Sequence, residues 1–539
     1  ALISQSGYVA YSITNVEEAL PLGYTFSVGN QAVLNVADFI DVLLDDARVR
    51  AIGLYLEGIV DVAALSRAAL RAIDKGIPIV ALKAGGTQES SELTHSHSGT
   101  LAVTNELWSA LFCRLGIIEV GSPKVLVETL KLLGLPKLPK GSRVVAAANS
   151  GGYAAMIGEK GRAFGLEFPA PRDAAKRALR ADVPDLVSLL NPLDWNLPWA
   201  SMSRSETSDL GLGHLMTDDV DLLIYFIDWP RQDDVAQVWW PTLEGLIQLN
   251  ARIDQLVVVA SVLPDGLPKN LRHHLTDAGL ICLQGLDDTL AAIAAAGKYH
   301  SSRRAVLADR ESRELSAPAP EIKSVIQVDE AEGKAALESC GLTIPRGLTG
   351  SSEDVIAEAE TLGYPLAVKL LSADLAHKNH AGAVHLNVGS KLALEEAVDA
   401  IKTSVGAYDP TLQTDRFLIE RMVASPLAEF IVGVSYKPGL GHALIIGRGG
   451  TDVEELRDFA MLLLPVSAVQ IEDALRRLNL VRKLRLEQQD IASLVQVVSQ
   501  VAQFSDQYRE RLVELDVNPI ILDTFGNCTA VDAMMRIRS

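Results

Sequence analysis

Over the first 300 residues, short apolar runs alternate with longer amphipathic stretches. The segments Arg50–Leu56, Pro78–Lys83, Arg143–Ala148, Val220–Phe226 and Gln255–Ala260 are almost continuously apolar, as strands covered on both faces of a parallel sheet are. Each is followed by a stretch of helical periodicity, and a strand–helix alternation predicts parallel sheets wound on both sides. The pattern divides into two α/β domains, residues 1–138 and 139–300. Two strand ends lead into small-residue turns and then into helices: Ser4-Gln5-Ser6-Gly7 after Leu2-Ile3, and Asn149-Ser150-Gly151-Gly152 after Val144–Ala148. Asn191-Pro192-Leu193-Asp194 reads as a rigid turn, and Trp229, Trp239 and Trp240 read as core residues in preference to the lining of an apolar pocket.

Residues 301–322 are charged and then rich in Pro and Ala, which is the composition of a linker. Beyond it the pattern changes. Val328–Cys340 and Thr349–Leu362 carry helical periodicity, and Tyr364–Leu370 is a strand with Lys369 near its end. Further strands at Phe417–Ile419 and Glu429–Val434 precede a tight connection at Lys437–Gly441, and Ala530–Ala533 is predicted on a closing strand. This third part, residues 323–539, divides into a small lobe of about 323–405 and a large lobe of about 406–539.

Composition narrows the possibilities. With 48% hydrophobic and 22% charged residues the chain can bury several cores. No apolar run reaches the ~18 residues of a membrane span, and the pattern predicts a soluble, cytoplasmic protein. A net charge of −19 argues against a broad nucleic-acid face, because phosphate neutralisation needs clustered Lys and Arg. Cys113, Cys282, Cys340 and Cys528 show no CxxC spacing, so neither a zinc site nor a disulfide framework is indicated. The chain opens on an apolar strand without methionine, as a piece of a longer protein would.

The candidate chemistry centres on Thr94-His95-Ser96-His97-Ser98-Gly99, a polar, turn-prone segment where one imidazole, His97, can be approached closely. Neutral imidazole is a nucleophile near neutral pH and can carry a phosphoryl group. Glu57, at the carboxyl end of its strand, stands where ligands of open α/β sheets collect, and a carboxylate there can orient such a ring. In the third part, the strand lysine Lys369 suits phosphate, and the oxygen donors Asn518 and Asp532 suit a Mg²⁺ that keeps water and phosphate ligands. No GxxxxGK[ST] occurs, which excludes a P-loop.

Nine short motifs follow one another in the order found in the NDP-forming acyl-CoA synthetases: Ile3–Gly7, Leu54–Gly58, Leu82–Gly85, Ser96–Gly99, Asn191–Asp194, His377-Lys378, Gly433-Val434, Gly449-Gly450 and Leu515–Pro519. The chain resembles that superfamily along essentially its whole length. The resemblance implies two flavodoxin-like domains followed by an ATP-grasp module, and a ligase that joins a carboxylic acid to coenzyme A with ATP through a phosphohistidine and an acyl phosphate. It implies that His97 is the phosphorylated residue and Glu57 its orienting carboxylate, with His377 a second histidine that relays phosphate. It further implies that Lys369, Glu420, Met422 and Glu429 contact ATP, that Asn518 and Asp532 hold the metal, and that Ser6-Gly7 and Gly449-Gly450 are two helix N-termini gripping phosphate. Where the family has His-Lys-Ser-Asp-Val-Gly-Gly, this chain has His377-Lys378-Asn379-His380-Ala381-Gly382-Ala383, which bears on the relay. The family's CoA-binding Rossmann domain is expected upstream of Ala1. Small acid, CoA and ATP are the implied partners, with homo-oligomerisation left open. The rival reading is a relative that keeps the fold and acts in protein acylation or nucleotide or CoA sensing; the presence of His97 weighs against it.

Overall fold

The computed structural model describes residues 1–539 except 16–19, 85–103, 183–188, 196–210, 317–323, 373–374, 376–379 and 451–457. Among the described residues the chain forms two compact units, Ala1–Arg310 and Glu311–Ser539.

The first unit holds two five-stranded parallel sheets. In the first, β1 (Leu2–Ser4), β2 (Thr25–Ser27), β3 (Ile52–Leu56), β4 (Ile79–Lys83) and β5 (Ile118–Val120) lie in the order β2-β1-β3-β4-β5. In the second, β6 (Val144–Ala148), β7 (Leu193–Asp194), β8 (Leu222–Phe226), β9 (Leu256–Ser261) and β10 (Ile281–Gln284) lie in the order β10-β9-β8-β6-β7, the same winding read from the other edge. This is the flavodoxin-like order, with the first strand flanked by the second and third. The central strands are buried on both faces, which accounts for their uninterrupted apolar composition.

The helices Pro123–Leu133 and Leu286–Gly297 pack together and join the two sheets through one apolar core, which runs from Val80 and Val120 through Leu126, Leu130 and Ile293 to Ile224 and Val258. Pro123 opens its helix after the cap Ser122, whose Oγ accepts from Val125 N–H at 3.1 Å. A second core on the far face of the second sheet centres on Trp195 and Tyr225, with Trp229, Trp239 and Trp240 packed partly buried against it.

Two expectations need correction here. The Asn191–Asp194 turn contains strand β7, paired to β6 through Ala147↔Leu193 and Ala148↔Asp194. The stretch read as linker begins as a helix, Tyr299–Ala308, whose Tyr299 and Val306 are buried and whose Arg303 Nε donates to Ile73 O at 2.8 Å. Those apolar residues sit at helical spacing among the charges that suggested a linker.

The second unit contains two sheets. A four-stranded sheet, in the order β12-β15-β13-β14, uses β12 (Gly347–Ser351), β13 (Leu366–Leu370), β14 (Val384–Val388) and β15 (Arg416–Arg421). A seven-stranded sheet runs β11-β21-β19-β16-β17-β18, with β20 pairing β19. It is built from β11 (Val325–Val328), β16 (Pro426–Lys437), β17 (Gly441–Arg448), β18 (Phe459–Leu463), β19 (Leu512–Asp523), β20 (Cys528–Ala530) and β21 (Met534–Arg538). The predicted helix at Thr349–Leu362 starts later, at Ser352, because Gly347–Ser351 pairs with β15 as strand β12. Ser351 then caps that helix, its Oγ accepting from Asp354 N–H at 3.2 Å.

Candidate functional site

Among the described residues, predicted site residues come together at one place in the first unit and at two in the second. In the first unit β1, β3 and β4 run parallel and in register, Ser4 beside Tyr55 and Leu56 beside Lys83. Their carboxyl ends therefore place Gln5-Ser6-Gly7, Glu57-Gly58 and Lys83 along one sheet edge. Gln5 ties two of these ends together. Its Oε1 accepts from the backbone N–H groups of both Glu57 and Gly58, the latter at 3.0 Å, while its own N–H donates to Tyr55 O at 3.0 Å.

Ser6 stands at the start of the helix Gly7–Asn15, its Oγ accepting from Val9 N–H at 3.4 Å. Ser6 and Gly7 are thus at a helix N-terminus, as expected, where unpaired N–H groups and the dipole favour an anion. Glu57 is half-buried at the same edge. Lys83 Nζ is buried with no hydrogen-bond partner among the described residues, and burial lowers its pKa against the pull of Glu119 and Glu106. His97 lies outside the described residues, and so does His377.

In the second unit Lys369 and Glu420 come together, but not as exposed phosphate ligands. Both are buried, at 5% and 3% exposure. Lys369 Nζ pairs with Glu330 at 2.8 Å and Glu420 at 3.1 Å, and Lys334 Nζ pairs with Glu420 at 2.7 Å and Glu330 at 2.9 Å. Both ammonium groups also donate to Val531 O. Two lysines and two glutamates form a set of compensating charges, with Asp532 near enough to act on Lys369. Burial works against the charge on Lys369, yet Glu330, Asp532 and Glu420 together hold its pKa above the ordinary lysine range. For Lys334, burial and the neighbouring ammonium outweigh the carboxylates and the pKa is lowered.

Met422 sits just past the end of β15, its N–H donating to Pro365 O at 3.1 Å. Further along the larger sheet, Glu429, Gly449, Gly450 and Asn518 converge. Gly449 N–H donates to Glu429 O at 2.8 Å, and Gly450 N–H donates to Asn518 Oδ1 at 3.2 Å. A Cβ on Gly449 would lie 2.7 Å from the Phe430 backbone, and one on Gly450, whose φ is +94°, would lie 2.8 Å from a Glu429 carboxylate oxygen. Only glycine permits that approach and that backbone angle. Both glycines follow β17, and the residues after them, 451–457, lie outside the described residues.

Asp532 is not on a closing strand. It falls in the connection between β20 and β21, both of which pair with β19, the strand of Asn518. Asp516 shares Asn518's face of β19 by the two-residue period. Its Oδ1 is buried with no partner among the described residues, and burial, followed by the charges of Asp532 and Glu514, pushes its pKa up to about 6. Among the described residues no three His, Cys, Asp or Glu side chains are placed to hold a metal by themselves. Asn518, Asp516 and Asp532 offer oxygen only, a donor set that fits a hard cation taking its remaining ligands from water and phosphate, and Asp516 and Asn518 lie on one face of β19.

Sequence reasoning missed Gln5, Glu330, Lys334 and Asp516. Asp516 had a signal, its alternation with Asn518 along a strand. Glu330 and Lys334 had only the spacing of an ordinary surface helix pair; they are buried against β21 and against Lys369 of β13 and Glu420 of β15.

Residues 1–133 match the succinyl-CoA ligase like flavodoxin domain, and residues 324–537 match an ATP-grasp domain. An acetate–CoA ligase [ADP-forming] of Archaeoglobus fulgidus is 27% identical over 96% of this chain and 75% of its own length. A 4-hydroxybutyrate–CoA ligase [ADP-forming] of Nitrosopumilus maritimus is 24% identical over 99% of this chain and 77% of its own. A trans-feruloyl-CoA synthase from an unknown prokaryotic organism is 26% identical over 99% and 76%. No helix among the described residues is long and apolar enough to cross a membrane.

Proposed function

We propose that this chain, which belongs to the single-chain fused ADP-forming acyl-CoA synthetases, condenses a carboxylic acid with coenzyme A while ATP becomes ADP and phosphate. The observation that carries the reading is similarity along 96–99% of the chain to ligases that share this product class and differ in the acid. The acids in their names are acetate, 4-hydroxybutyrate and a feruloyl acid, so the acid taken by this chain is a question for experiment.

A ring nitrogen of His97 attacks the terminal phosphorus of ATP, forming a phosphorus–nitrogen bond as ADP leaves. A substrate carboxylate oxygen then takes the phosphoryl group to give an acyl phosphate and free histidine. The CoA thiolate attacks the acyl carbon, and phosphate departs with the electron pair of the broken carbon–oxygen bond. Glu57, fixed through its backbone by Gln5, accepts from the second ring nitrogen of His97 and so sets the tautomer and steadies the charged ring. The Ser6-Gly7 helix start receives the phosphoryl oxygens. Lys369, held charged by Glu330, Asp532 and Glu420, is assigned to ATP phosphate, for which its pairing to Glu330 and Glu420 must open. Asn518 and Asp532, with Asp516 beside them, would hold Mg²⁺, which neutralises and orients the ATP phosphates when bound. His377 is the alternative first acceptor, which would take the phosphoryl group from ATP as ADP leaves and pass it to His97; His377→Asn slows labelling of His97 on that route and leaves it unchanged where His97 attacks ATP directly. The domain division at 1–138, 139–300 and 323–539 follows the same scheme.

An acid panel run on the full-length protein with coupled ADP detection tests the reading. ADP release should require one acid and CoA together, and the protein should carry an acid-labile, alkali-stable phosphoryl label that His97→Asn abolishes. ADP release indifferent to both acid and CoA, or full labelling of His97→Asn, would overturn it.

A further inference from the structure

The turns after β1, β2 and β3 stand together at the carboxyl edge of the first sheet, the edge of the Ser6-Gly7 turn and Glu57. Gln31 ties the second of them to the third: its Nε2 donates to Gly58 O at 3.4 Å, and its Oε1 accepts from Val36 N–H at 3.0 Å. Among the described residues of the first α/β domain, the exposed large apolar side chains are those of Tyr8, Tyr11, Val33, Leu34, Val42 and Val60. Tyr8, Val33, Leu34 and Val60 follow the three strand ends directly, and Tyr11 lies one turn along the first helix. Of these six only Val42, in the last turn of the helix Val36–Leu43, lies away from this edge. Single exposed apolar side chains are ordinary, but a cluster of them on one edge marks a place where something apolar binds.

Tyr8 is the best placed of them. It is the second residue of the helix Gly7–Asn15 and is 79% exposed, and its ring lies 6.3 Å from that of Tyr11, which is 64% exposed. Helical side chains lean toward the N-terminus of their helix, so both rings lean toward the Ser6-Gly7 turn. In an acyl phosphate a single bridging oxygen joins the phosphorus to the acyl carbon. A phosphoryl group received at Ser6-Gly7 therefore brings the rest of the acid alongside the Tyr8 ring.

Charge and size narrow the acid. Residues 5–8, 28–35 and 57–61, which form the three turns, include Glu57 and Asp61 and no Lys or Arg. The lysine at the end of β4, Lys83, has its ammonium buried. A second carboxylate on the acid would meet like charge and no counter-ion, which disfavours a dicarboxylate. A lone methyl group covers too little of a tyrosine ring to gain much from it, which disfavours acetate.

We propose that this apolar edge holds the organic part of the acid, that the substrate is a monocarboxylic acid carrying an aryl group, and that Tyr8 is a residue that selects it. The proposal rests on the assignment of the phosphoryl group to the Ser6-Gly7 turn.

Coupled ADP detection on the full-length protein with 3-phenylpropanoate, acetate and succinate tests it. kcat/KM should be about tenfold or more higher for 3-phenylpropanoate than for either of the others. Tyr8→Ala, at a position too exposed to matter for folding, should lower kcat/KM for 3-phenylpropanoate about tenfold, mainly through KM, and change that for acetate by less than about twofold. Tyr8→Phe should keep the parental preference, since the ring and not the hydroxyl makes the contact. Val42→Ala, an exposed apolar position away from the edge, should behave as the parent. Phosphoryl labelling of the parent by ATP separates the two readings. Absence of labelling would overturn the ligase chemistry and this proposal with it, whereas labelling together with a preference for acetate or succinate would overturn the choice of acid alone. An equal loss for all three acids in Tyr8→Ala would mean that protein and not substrate covers this edge, and that outcome, or an unchanged preference, would also overturn the proposal.

Discussion

Lys334 and Lys369 share the carboxylates of Glu330 and Glu420 inside the second unit, and each charge is tolerable only because the other three are present. Removing one member leaves a buried net charge, which costs far more than a surface pair would. Lys334→Met is therefore expected to destabilise the protein by about 3–5 kcal/mol in urea denaturation without nucleotide. Adding Glu420→Gln should recover part of that loss, since it removes the stranded charge. Equal stability of Lys334→Met and the parent would mean that water reaches the network. This set also explains how a lysine near a strand end, legible in the sequence as a phosphate ligand, is kept charged in a buried place.

At the scale of the element, the end of β17 is shaped by what a side chain would hit. Gly449 lies against the Phe430 backbone, on the strand that also presents Glu429. Gly449→Ala must push β16 and β17 apart at the point where Gly450 donates to Asn518. The expected cost is about 1–3 kcal/mol, as for overpacked interiors, together with weaker binding of a non-hydrolysable ATP analogue. Gly389→Ala, where a Cβ meets nothing within 4 Å, should leave both thermal unfolding and analogue titration near the parental values. If the two alanine variants behave alike, the close approach at Gly449 has no energetic weight. The Ser4–Gly7 turn is shaped differently: the Gln5 side chain supplies the contacts that bring two strand ends to one edge.

At the scale of the first unit, the two sheets cohere through the paired helices and a buried charge set. Glu128, fully buried on the helix Pro123–Leu133, pairs with Lys131 at 2.7 Å and Lys124 at 2.9 Å, and Lys131 Nζ also donates to Cys282 O in β10 at 2.9 Å. The core of the first sheet is thereby linked to a strand of the second. Glu128→Ala leaves the buried Lys131 without its carboxylate, and a loss of about 3–5 kcal/mol is expected. Hydrogen exchange should quicken in both sheets together if they open as one unit; faster exchange confined to the Pro123–Leu133 helix would show that the sheets are stabilised separately.

The alternation of continuous apolar runs with helical periodicity determined the central parallel strands β3, β4, β6, β8 and β9 and their approximate bounds, because a strand buried on both faces must be apolar at every position and a surface helix cannot be; β2, β5, β7 and β10 are too short or too exposed to leave that mark. The turns after β1 and β3 were legible for the same local reason: Ser, Gly and Glu at the carboxyl end of a strand are polar groups placed where the sheet stops. The glycines at 449 and 450 were legible only through the family resemblance, since what requires them is the approach of Phe430 and Glu429 from the neighbouring strand. What it could not contain is proximity between residues distant in the chain. That Gln5 would bond the backbone of Glu57, that Glu330 and Lys334 would be buried against β21 and against Lys369 and Glu420, and that Asp532 would leave the strand pairing and stand near Asp516 depends on which elements pack over which. Hydrogen bonds and charges act over a few ångströms in space, whereas periodicity reports only neighbours along the chain, so the partners of each site residue were decided by the tertiary structure.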